Sequence, residues 1–266
     1  MTMASTVLDR LHWVERVARD ETMKYPRVLL LHGIGGSARS CGPVANRLAA
    51  RGISSWCLDA PGYGESADPR PGDDIVADVN ELIGALSPDR PVVLLGTSWG
   101  GVVATAVALR RPEIIAGLIL ADSTRGSGTT SAKSDAMLSR IDELNTLGAP
   151  AVAAQRAPRL TAPAADPAVV DAVRRSMADV RPAGFRAAAA FMADTDHGPE
   201  LSRIGCPTAV LVGEHDVVTG VEESQLLADA IRGARLHVIA DAGHVAVQEQ
   251  PDAAADLVAD FVRELT

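Results

Sequence analysis

The chain has 266 residues, of which 47% are hydrophobic and 22% are charged, and its formal net charge is −9. These values are typical of an ordinary soluble globular protein that forms one large domain, or one domain carrying an insertion. The negative charge disfavours a nucleic acid or an anionic membrane surface as a partner, because both attract basic proteins.

The sequence also argues against membrane insertion and secretion. No apolar run approaches the roughly 20 residues that a membrane-spanning helix needs, and the chain begins without the basic and apolar regions of a secretory signal. The three cysteines are odd in number and widely spaced, so they predict neither a disulfide framework nor a metal site. We therefore expect a cytoplasmic protein without a metal.

Short β-type runs alternate with helical stretches in the first half of the chain, which predicts a mostly parallel sheet covered by helices. The run PVVLLG at residues 91–96 is apolar throughout, as expected of a central strand buried on both faces. The elements predicted in this half are an edge strand near residues 11–17, strand 27–33, helix 41–52, strand 53–62, helix 73–86, strand 91–96, helix 99–110 and strand 113–122.

The alternation stops between about residues 123 and 201, a gap too long for a plain connection. This stretch is predicted to be a helical cap at one end of the sheet, inserted into a core made of residues 1–122 and 202–266. Within it we expect helices at 131–148, 167–180 and 185–194, with a turn-rich join over the Ala- and Pro-rich residues 148–169. The remaining predicted elements are strand 207–216, helix 221–233, strand 234–244 and helix 250–265.

Residues 96–100, Gly-Thr-Ser-Trp-Gly, match the pattern G-x-S-x-G between a buried strand and a helix. At such a junction the serine lies on a sharp, strained turn with its oxygen above the sheet, and the glycines let neighbouring backbone come close. Ser98 is therefore the candidate nucleophile. The alternative is a solvated serine in a glycine-rich turn.

A serine hydroxyl needs an adjacent base and a third group that orients this base. His244 lies where the last predicted strand ends and a loop begins, and it is the candidate base, the alternative being an ordinary surface histidine. Asp216, at the end of the preceding strand, is the candidate acid and completes the order Ser, acid, His. Asp122, at the end of the strand that follows the nucleophile, is the rival acid.

An acyl-transfer site also needs two backbone donors for the oxyanion of its tetrahedral intermediate. The amide of Trp99 directly follows the nucleophile and is the first candidate. The second is the amide of Ile34 in the loop HGIGGS, whose glycines allow it to fold back toward Ser98. The alternative for this loop is a plain glycine turn.

The segments LLHGIGGS, CLDAPGYGES, LLGTSWGG, LVGEHD and DAGHVAVQEQP resemble, in order and spacing, the signature segments of the α/β-hydrolase superfamily from about residue 27 onward. The resemblance implies an eight-stranded, mostly parallel sheet with a helical cap inserted after the sixth strand. It also implies a catalytic triad of Ser98, Asp216 and His244, an oxyanion hole of Ile34 and Trp99, and no organic cofactor or metal. Among superfamily members, the chain looks most similar to bacterial enol-lactone hydrolases and carboxylesterases.

The cap should form the roof of a substrate pocket, with Trp99 beside the nucleophile. Further apolar candidates for this pocket are Met137, Leu138, Phe185, Phe191 and Met192, each with packing inside the cap as the alternative. Candidates for contact with a substrate carboxylate are Arg125, Arg186 and His197, with a solvated helix face as the alternative.

The favoured function is a serine hydrolase that cleaves a small carboxylic ester or lactone through an acyl-enzyme. The alternatives are a C–C bond hydrolase or lyase that uses the same triad, because a fold does not fix its function, and a ligand-binding sensor on the hydrolase fold. The expected partner is a small-molecule substrate, and a homodimer is an open alternative for the assembly.

Overall fold

The computed structural model describes residues 7–19 and 24–266. The strands of this part are β1 (His12–Arg16), β2 (Val28–Leu31), β3 (Ser55–Asp59), β4 (Val92–Thr97), β5 (Ile115–Ala121), β6 (Thr208–Gly213) and β7 (Arg235–Ile239). They form one sheet in the order β1-β3-β2-β4-β5-β6-β7, in which β1 is antiparallel to β3 and the other pairs are parallel. The predicted mostly parallel sheet is confirmed.

Two details of the predicted sheet are wrong for the described part of the chain. It has seven strands instead of eight, and the long helical insertion follows the fifth strand instead of the sixth. Both differences arise at the N-terminal side of the described residues, where β1 is the sheet's edge strand and follows the short 3₁₀ turn Val7–Asp9. Residues 1–6, which belong to the stretch searched for a secretory signal, lie outside the described residues.

Helices cover both faces of the sheet. They are α1 (Ala38–Ala50), α2 (Ile75–Leu86), α3 (Trp99–Arg110), α4 (Ser131–Leu147), α5 (Ala149–Leu160), α6 (Pro167–Ala178), α7 (Pro182–Asp194), α8 (Gly220–Ala230), α9 (Ala246–Glu249) and α10 (Pro251–Glu264). We call α4 to α7 the inserted helices. The division of the chain into a core and a cap domain stays a prediction. None of the described helices is both long and apolar enough to span a membrane.

Strand β4 lies at the centre of the sheet, and its side chains alternate between two cores. Val92 and Leu94 pack into the core on the side of α2, α3 and α8, whereas Val93 and Leu95 pack into the core on the side of α1 and α10. All four are fully buried. The uniformly apolar sequence of β4 is therefore explained by burial on both faces.

Helix α1 begins three residues earlier than predicted, at Ala38 instead of Cys41. Two contacts explain the early start: the Asp59 carboxylate at the end of β3 accepts the Ala38 amide proton at 2.7 Å, and Ser40 Oγ accepts the Ser37 amide proton at 3.2 Å. A negative group at a helix N-terminus satisfies donors that have no partner inside the helix. Pro43 consequently lies within α1 instead of near its start.

The turn-rich join predicted for residues 148–169 is wrong for its first half, which forms helix α5. One of its two prolines is readily accommodated: Pro150 is in the first turn, where a backbone N–H has no helical partner. Pro158 lies inside the helix, where it removes one backbone donor. Alanine supplies much of the rest of this helix and is the best helix former.

The inserted helices are attached to the loop after β3 by close backbone packing. Gly184 in α7 lies against Gly62, and a Cβ added to Gly184 would come within 2.5 Å of the Gly62 carbonyl oxygen. Beside this contact, Arg181 Nε donates to Asp68 Oδ1 at 2.7 Å and Arg181 also donates to the Gly64 carbonyl at 2.8 Å. The contact leaves no room for a side chain at position 184.

Gly184→Ala should therefore destabilise the protein by about 1–3 kcal/mol, the usual cost of overpacking. Gly84→Ala is the matched control, because Gly84 is also a helical glycine but has nothing within 4 Å of an added Cβ. It should stabilise by about 0.5–1 kcal/mol through helix propensity. Thermal unfolding of both variants tests this prediction, and equal shifts in Tm would contradict it.

Candidate active site

Ser98 lies between β4 and α3 in a strained backbone conformation. Its φ is 50° and its ψ is −118°, a region that residues with a side chain rarely adopt. A Cβ on Gly96 would overlap the backbone of Gly100, and a Cβ on Gly100 would overlap the carbonyl of Leu31. The two glycines of the motif therefore allow the sharp turn that presents Ser98.

The structure brings Ser98, His244 and Asp216 together, although they are far apart in the sequence. His244 Nε2 lies 3.0 Å from Ser98 Oγ, and His244 Nδ1 lies 3.0 Å from Asp216 Oδ2. Both distances are within hydrogen-bond range. The arrangement can move a proton from the serine hydroxyl to the imidazole, with the carboxylate holding the ring in orientation.

The Asp216 carboxylate is held as an anion by several donors. Oδ1 accepts the amide protons of Val218 at 2.7 Å and Thr219 at 3.1 Å, and Oδ2 accepts the Thr219 hydroxyl proton at 2.6 Å. Burial opposes ionisation, but these hydrogen bonds and the one from His244 outweigh it and lower the pKa of Asp216 to about 2. Asp216 is therefore ionised near neutral pH.

His244 is a stronger base than an ordinary histidine. Burial favours its neutral form, but the hydrogen bond to Asp216 and the negative charge of that carboxylate outweigh burial and raise the pKa of His244 above 6.5. Arg140 acts in the opposite direction, because its positive charge disfavours the imidazolium. The charge of Asp122 also raises the pKa of His244, so two carboxylates and one guanidinium act on this imidazole.

Asp122, the rival acid, does not contact His244. It is fully buried, with Oδ1 accepting the Gly213 amide proton at 2.9 Å and Oδ2 accepting the Ala246 amide proton at 3.0 Å. The carboxyl group therefore connects the end of β5 to the end of β6 and to the loop that carries His244. Burial, followed by the nearby Asp216 charge, raises the pKa of Asp122 to about 7.

The loop that follows β2 lies against Ser98. A Cβ on Gly33 would lie 3.3 Å from Ser98 Cβ, and both Ile34 and Trp99 line the cavity above the serine. Within the described residues, neither of their backbone amides donates to an acceptor. Two free donors beside a serine oxygen are what an oxyanion hole requires.

His32 is a contributor to this loop that the sequence analysis missed. Its Nε2 accepts the Ala60 amide proton at 3.1 Å, so the ring proton is on Nδ1, which donates to the Gly33 carbonyl at 2.8 Å. Because the N–H and C=O of a trans peptide point in opposite directions, this bond directs the Ile34 amide away from His32. Burial lowers the pKa of His32 and keeps the ring neutral.

A cavity of about 450 Å³ lies above Ser98 and His244, between the carboxyl ends of the strands and the inserted helices. Three of the predicted pocket residues, Trp99, Met137 and Met192, line it. Leu138, Phe185 and Phe191 do not. Phe185 is buried in the core on the α3 side, and Phe191 lines a second cavity of about 210 Å³ on another side of Trp99. Helical spacing could not show which face of the inserted helices meets the cavity.

None of the three residues predicted to meet a substrate carboxylate is free to do so in this cavity. Arg125 is paired with Glu223 at 2.8 Å. His197 Nε2 lies 3.0 Å from the Val102 carbonyl and is buried there. Arg186 is exposed and does not line the cavity.

Away from the cavity, three exposed side chains could supply metal ligands. Glu214, His215 and Asp241 place ligand atoms within 4.8 Å of one another, as no other trio does within residues 7–19 and 24–266. They lie on the surface and do not contact Ser98 or His244, so the chemistry of the serine site does not depend on them.

The chain is similar in sequence to known hydrolases. Residues 24–251 match the serine aminopeptidase S33 family, Hydrolase_4. The chain is 28% identical over 203 residues to 3-oxoadipate enol-lactonase 2 of Acinetobacter baylyi, a match that covers 74% of each protein. It is 29% identical over 253 residues to the pimeloyl-[acyl-carrier protein] methyl ester esterase of Chromobacterium violaceum, covering 90% of this chain and 92% of the relative.

The fold is also similar to a solved structure. A thermophilic esterase from Thermogutta terrifontis, solved with malate bound, superimposes with a TM-score of 0.86 at 27% identity. The match covers 96% of this chain and 93% of the esterase. Sequence and fold therefore agree with the resemblance drawn from the five segments.

The buried Asp122 predicts a pH dependence of stability. Its pKa is raised from 3.8 to about 7 in the folded state, so between these values the folded chain binds more protons than the unfolded chain. The stability that this group contributes is present below about pH 4 and is lost as the pH rises through about 7.

Asp122→Asn removes this titration. The free energy of unfolding of the wild type should therefore fall relative to the variant across this window, by up to about 1.4 kcal/mol per pH unit. Urea unfolding at several pH values measures the difference, and Asp229→Asn at an exposed site controls for the loss of one charge. A difference that does not change with pH would refute the prediction.

Proposed function

Because this chain belongs to the serine aminopeptidase S33 family of the α/β-hydrolase superfamily and is a hydrolase, we propose that it cleaves small carboxylic esters or lactones through an acyl-enzyme on Ser98. The observation that carries the proposal is the 3.0 Å distance between Ser98 Oγ and His244 Nε2, with Asp216 on the other ring nitrogen. This is the arrangement by which a serine hydroxyl becomes a nucleophile.

The size of the site and the relatives support a small ester or lactone as substrate. A cavity of about 450 Å³ fits a small molecule. The relatives include an enol-lactonase and a methyl ester esterase, and the similar solved structure is an esterase. Esters and lactones share an activated carbonyl carbon, so the same groups serve both.

In the first half of the proposed reaction, His244 Nε2 takes the proton of Ser98 while Oγ attacks the carbonyl carbon. The carbonyl oxygen becomes an oxyanion, which the amides of Ile34 and Trp99 stabilise. The C–O bond to the leaving group then breaks, and the imidazolium gives its proton to the departing alkoxide. In a lactone, this alcohol stays attached to the acyl group.

In the second half, a water molecule gives a proton to His244 and attacks the acyl carbon. The bond to Ser98 Oγ breaks, the serine regains the proton from the imidazolium, and the free acid leaves. Asp216 remains ionised throughout and stabilises each imidazolium. These steps need no cofactor. The cytoplasmic location, the small-molecule partner and the assembly stay predictions.

Ser98→Ala should lower kcat for 4-nitrophenyl butyrate by about 10⁶-fold, because the nucleophile is lost. Its Tm should stay close to that of the wild type. A fluorophosphonate probe should label the wild type and not the variant. Ser139→Ala is the matched control, because Ser139 is exposed on α4 and its hydroxyl bonds only to its own helix.

Three other outcomes of this experiment are informative. Turnover that survives in Ser98→Ala would refute the acyl-enzyme. Inertness of the wild type toward esters and lactones, with cleavage of a C–C substrate, would favour the C–C hydrolase. Tight ligand binding without labelling would favour a sensor.

The pH profile tests the roles of the base and the acid. Because only the neutral imidazole accepts the serine proton, kcat/KM should rise with pH and reach half its maximum above pH 6.5, where the raised pKa of His244 lies. Asp216→Asn removes the anion that raises this pKa. It should shift the rise to lower pH and reduce kcat by about 10⁴-fold.

Asp122→Asn is the companion variant for this profile, since its carboxyl group does not contact His244. It should cost far less activity than Asp216→Asn. The assignment of the acid fails if the two variants lose activity in the reverse order.

A further inference from the structure

The cavity above Ser98 carries positive charge that the described part of the protein leaves unneutralised. Four basic side chains line it: Lys133, Arg140, Arg156 and Arg159. Glu223 is the acidic residue among the described lining residues, and its carboxylate is engaged by Arg125. This local excess contrasts with the net charge of −9 of the whole chain.

These four basic residues differ in whether they form an ion pair with a carboxylate. Arg156 forms an ion pair with Glu143. Lys133, Arg140 and Arg159 have no carboxylate partner within residues 7–19 and 24–266. Of these, Lys133 is exposed, so water can solvate it, whereas Arg140 is largely buried and only partly accessible from the cavity.

Arg140 is held in the cavity wall by an aromatic ring and by a thioether sulfur, which is a weak acceptor, and not by an oxygen acceptor. Its guanidinium lies 5.5 Å from the centre of the Phe185 ring, and one of its terminal nitrogens lies 3.6 Å from Met137 Sδ. Its Nε is buried and has no hydrogen-bond partner. Burial, followed by the charge of Arg156, lowers its pKa to about 10, so the side chain is still protonated at neutral pH.

Two further buried donors near Arg140 have no acceptor. Tyr63 Oη and Trp99 Nε1 are both buried without a hydrogen bond, and the two rings pack with their centres 5.6 Å apart. Arg140 is close enough to Tyr63 that its charge opposes the rise in pKa that burial causes in the tyrosine. Buried donors without partners are costly. The charge of Glu143 favours protonation of Arg140, but the Glu143 carboxylate is paired with Arg156 and not with Arg140.

We propose that Arg140 binds a carboxylate of the substrate, so that the preferred substrates are half-esters of dicarboxylic acids or lactones that carry a free carboxylate. A guanidinium pairs with a carboxylate through two parallel hydrogen bonds, and this pairing is strongest away from water. The inference rests on the proposed function, because the carboxylate would lie in the same cavity as the ester bond. Arg140 thus replaces Arg125, Arg186 and His197 as the group that recognises an anion.

The test compares two substrates of equal chain length, the mono-4-nitrophenyl ester of adipic acid and 4-nitrophenyl hexanoate, which has a methyl group in place of the carboxylate. The wild type should prefer the adipate ester. Arg140→Gln should lower kcat/KM for the adipate ester by about 10- to 100-fold, mainly through KM, as expected for loss of a charge-assisted hydrogen bond. Hexanoate hydrolysis should change little.

Two further variants control the comparison. Arg186→Gln removes an exposed arginine from another inserted helix and should leave the preference between the two substrates unchanged. Arg140→Lys keeps the charge without the planar fork and should give an intermediate preference. Its Tm, with that of Arg140→Gln, identifies any loss of folding.

The pH profile adds a readout that a purely structural role would not move. Because the Arg140 charge lowers the pKa of His244, Arg140→Gln should shift the rise of kcat/KM for hexanoate to higher pH. The comparison of substrates is therefore made on the alkaline plateau, where His244 is neutral in both proteins. An unshifted profile would contradict the proximity of the two charges.

Binding of adipate to the Ser98→Ala protein separates this inference from the proposed function. Calorimetry should detect adipate binding that is lost in Ser98→Ala/Arg140→Gln, even if the wild type hydrolyses neither ester. Any one of three results would overturn the carboxylate site. They are an equal loss of kcat/KM for both esters in Arg140→Gln, a wild-type preference for the hexanoate ester, and binding of inorganic phosphate but not of adipate. If both esters are hydrolysed with no preference, the proposed function stands and this inference fails.

Discussion

The strained turn at Ser98 is the constraint on which the site depends. A serine at φ 50° is retained only where the surrounding backbone fixes it. Here the Ser98 amide donates to the Ala121 carbonyl, and the Ser123 hydroxyl donates to the Ser98 carbonyl. Hydrogen bonds to the end of the neighbouring strand β5 therefore hold the turn in place. The backbone packs closely around Gly96 and Gly100 and leaves the turn no room to relax. The sheet supplies the rigidity that a reactive hydroxyl needs.

Two buried carboxyl groups near this turn have different roles. Asp216 faces His244 and is surrounded by donors, so it is ionised and acts on the imidazole. Asp122 accepts two backbone amide protons and joins the ends of two strands to the histidine loop. Burial of its carboxyl group outweighs these bonds and the charge of His244. The two aspartates lie at similar strand ends, but their pKa values are shifted in opposite directions. Hydrogen bonds favour the charged form of Asp216, whereas burial disfavours the charged form of Asp122.

The sequence was sufficient to predict elements whose local signals agree. It was insufficient where residues distant in the chain determine the bounds of an element or the role of a side chain. Helix α3 was predicted to the residue, from Trp99 to Arg110, because an apolar strand precedes it and Pro112 follows it. The start of α1 was missed because its capping carboxylate, Asp59, comes from another strand. Sequence order alone left Asp122 and Asp216 as rivals, since both end strands. Arg140 gave no signal, because the face of a helix that meets a cavity depends on tertiary packing.

The proximity of Arg140 and His244 links proton uptake to ligand occupancy. The charge of Arg140 weakens the proton affinity of His244, and an anion bound to Arg140 would cancel this effect. Because the coupling is reciprocal, protonation of His244 would in turn strengthen binding of the anion. A dicarboxylic acid product would accordingly dissociate more slowly as the solution is acidified. Retention of the product, in addition to loss of the base, would then limit turnover on the acid side of neutrality.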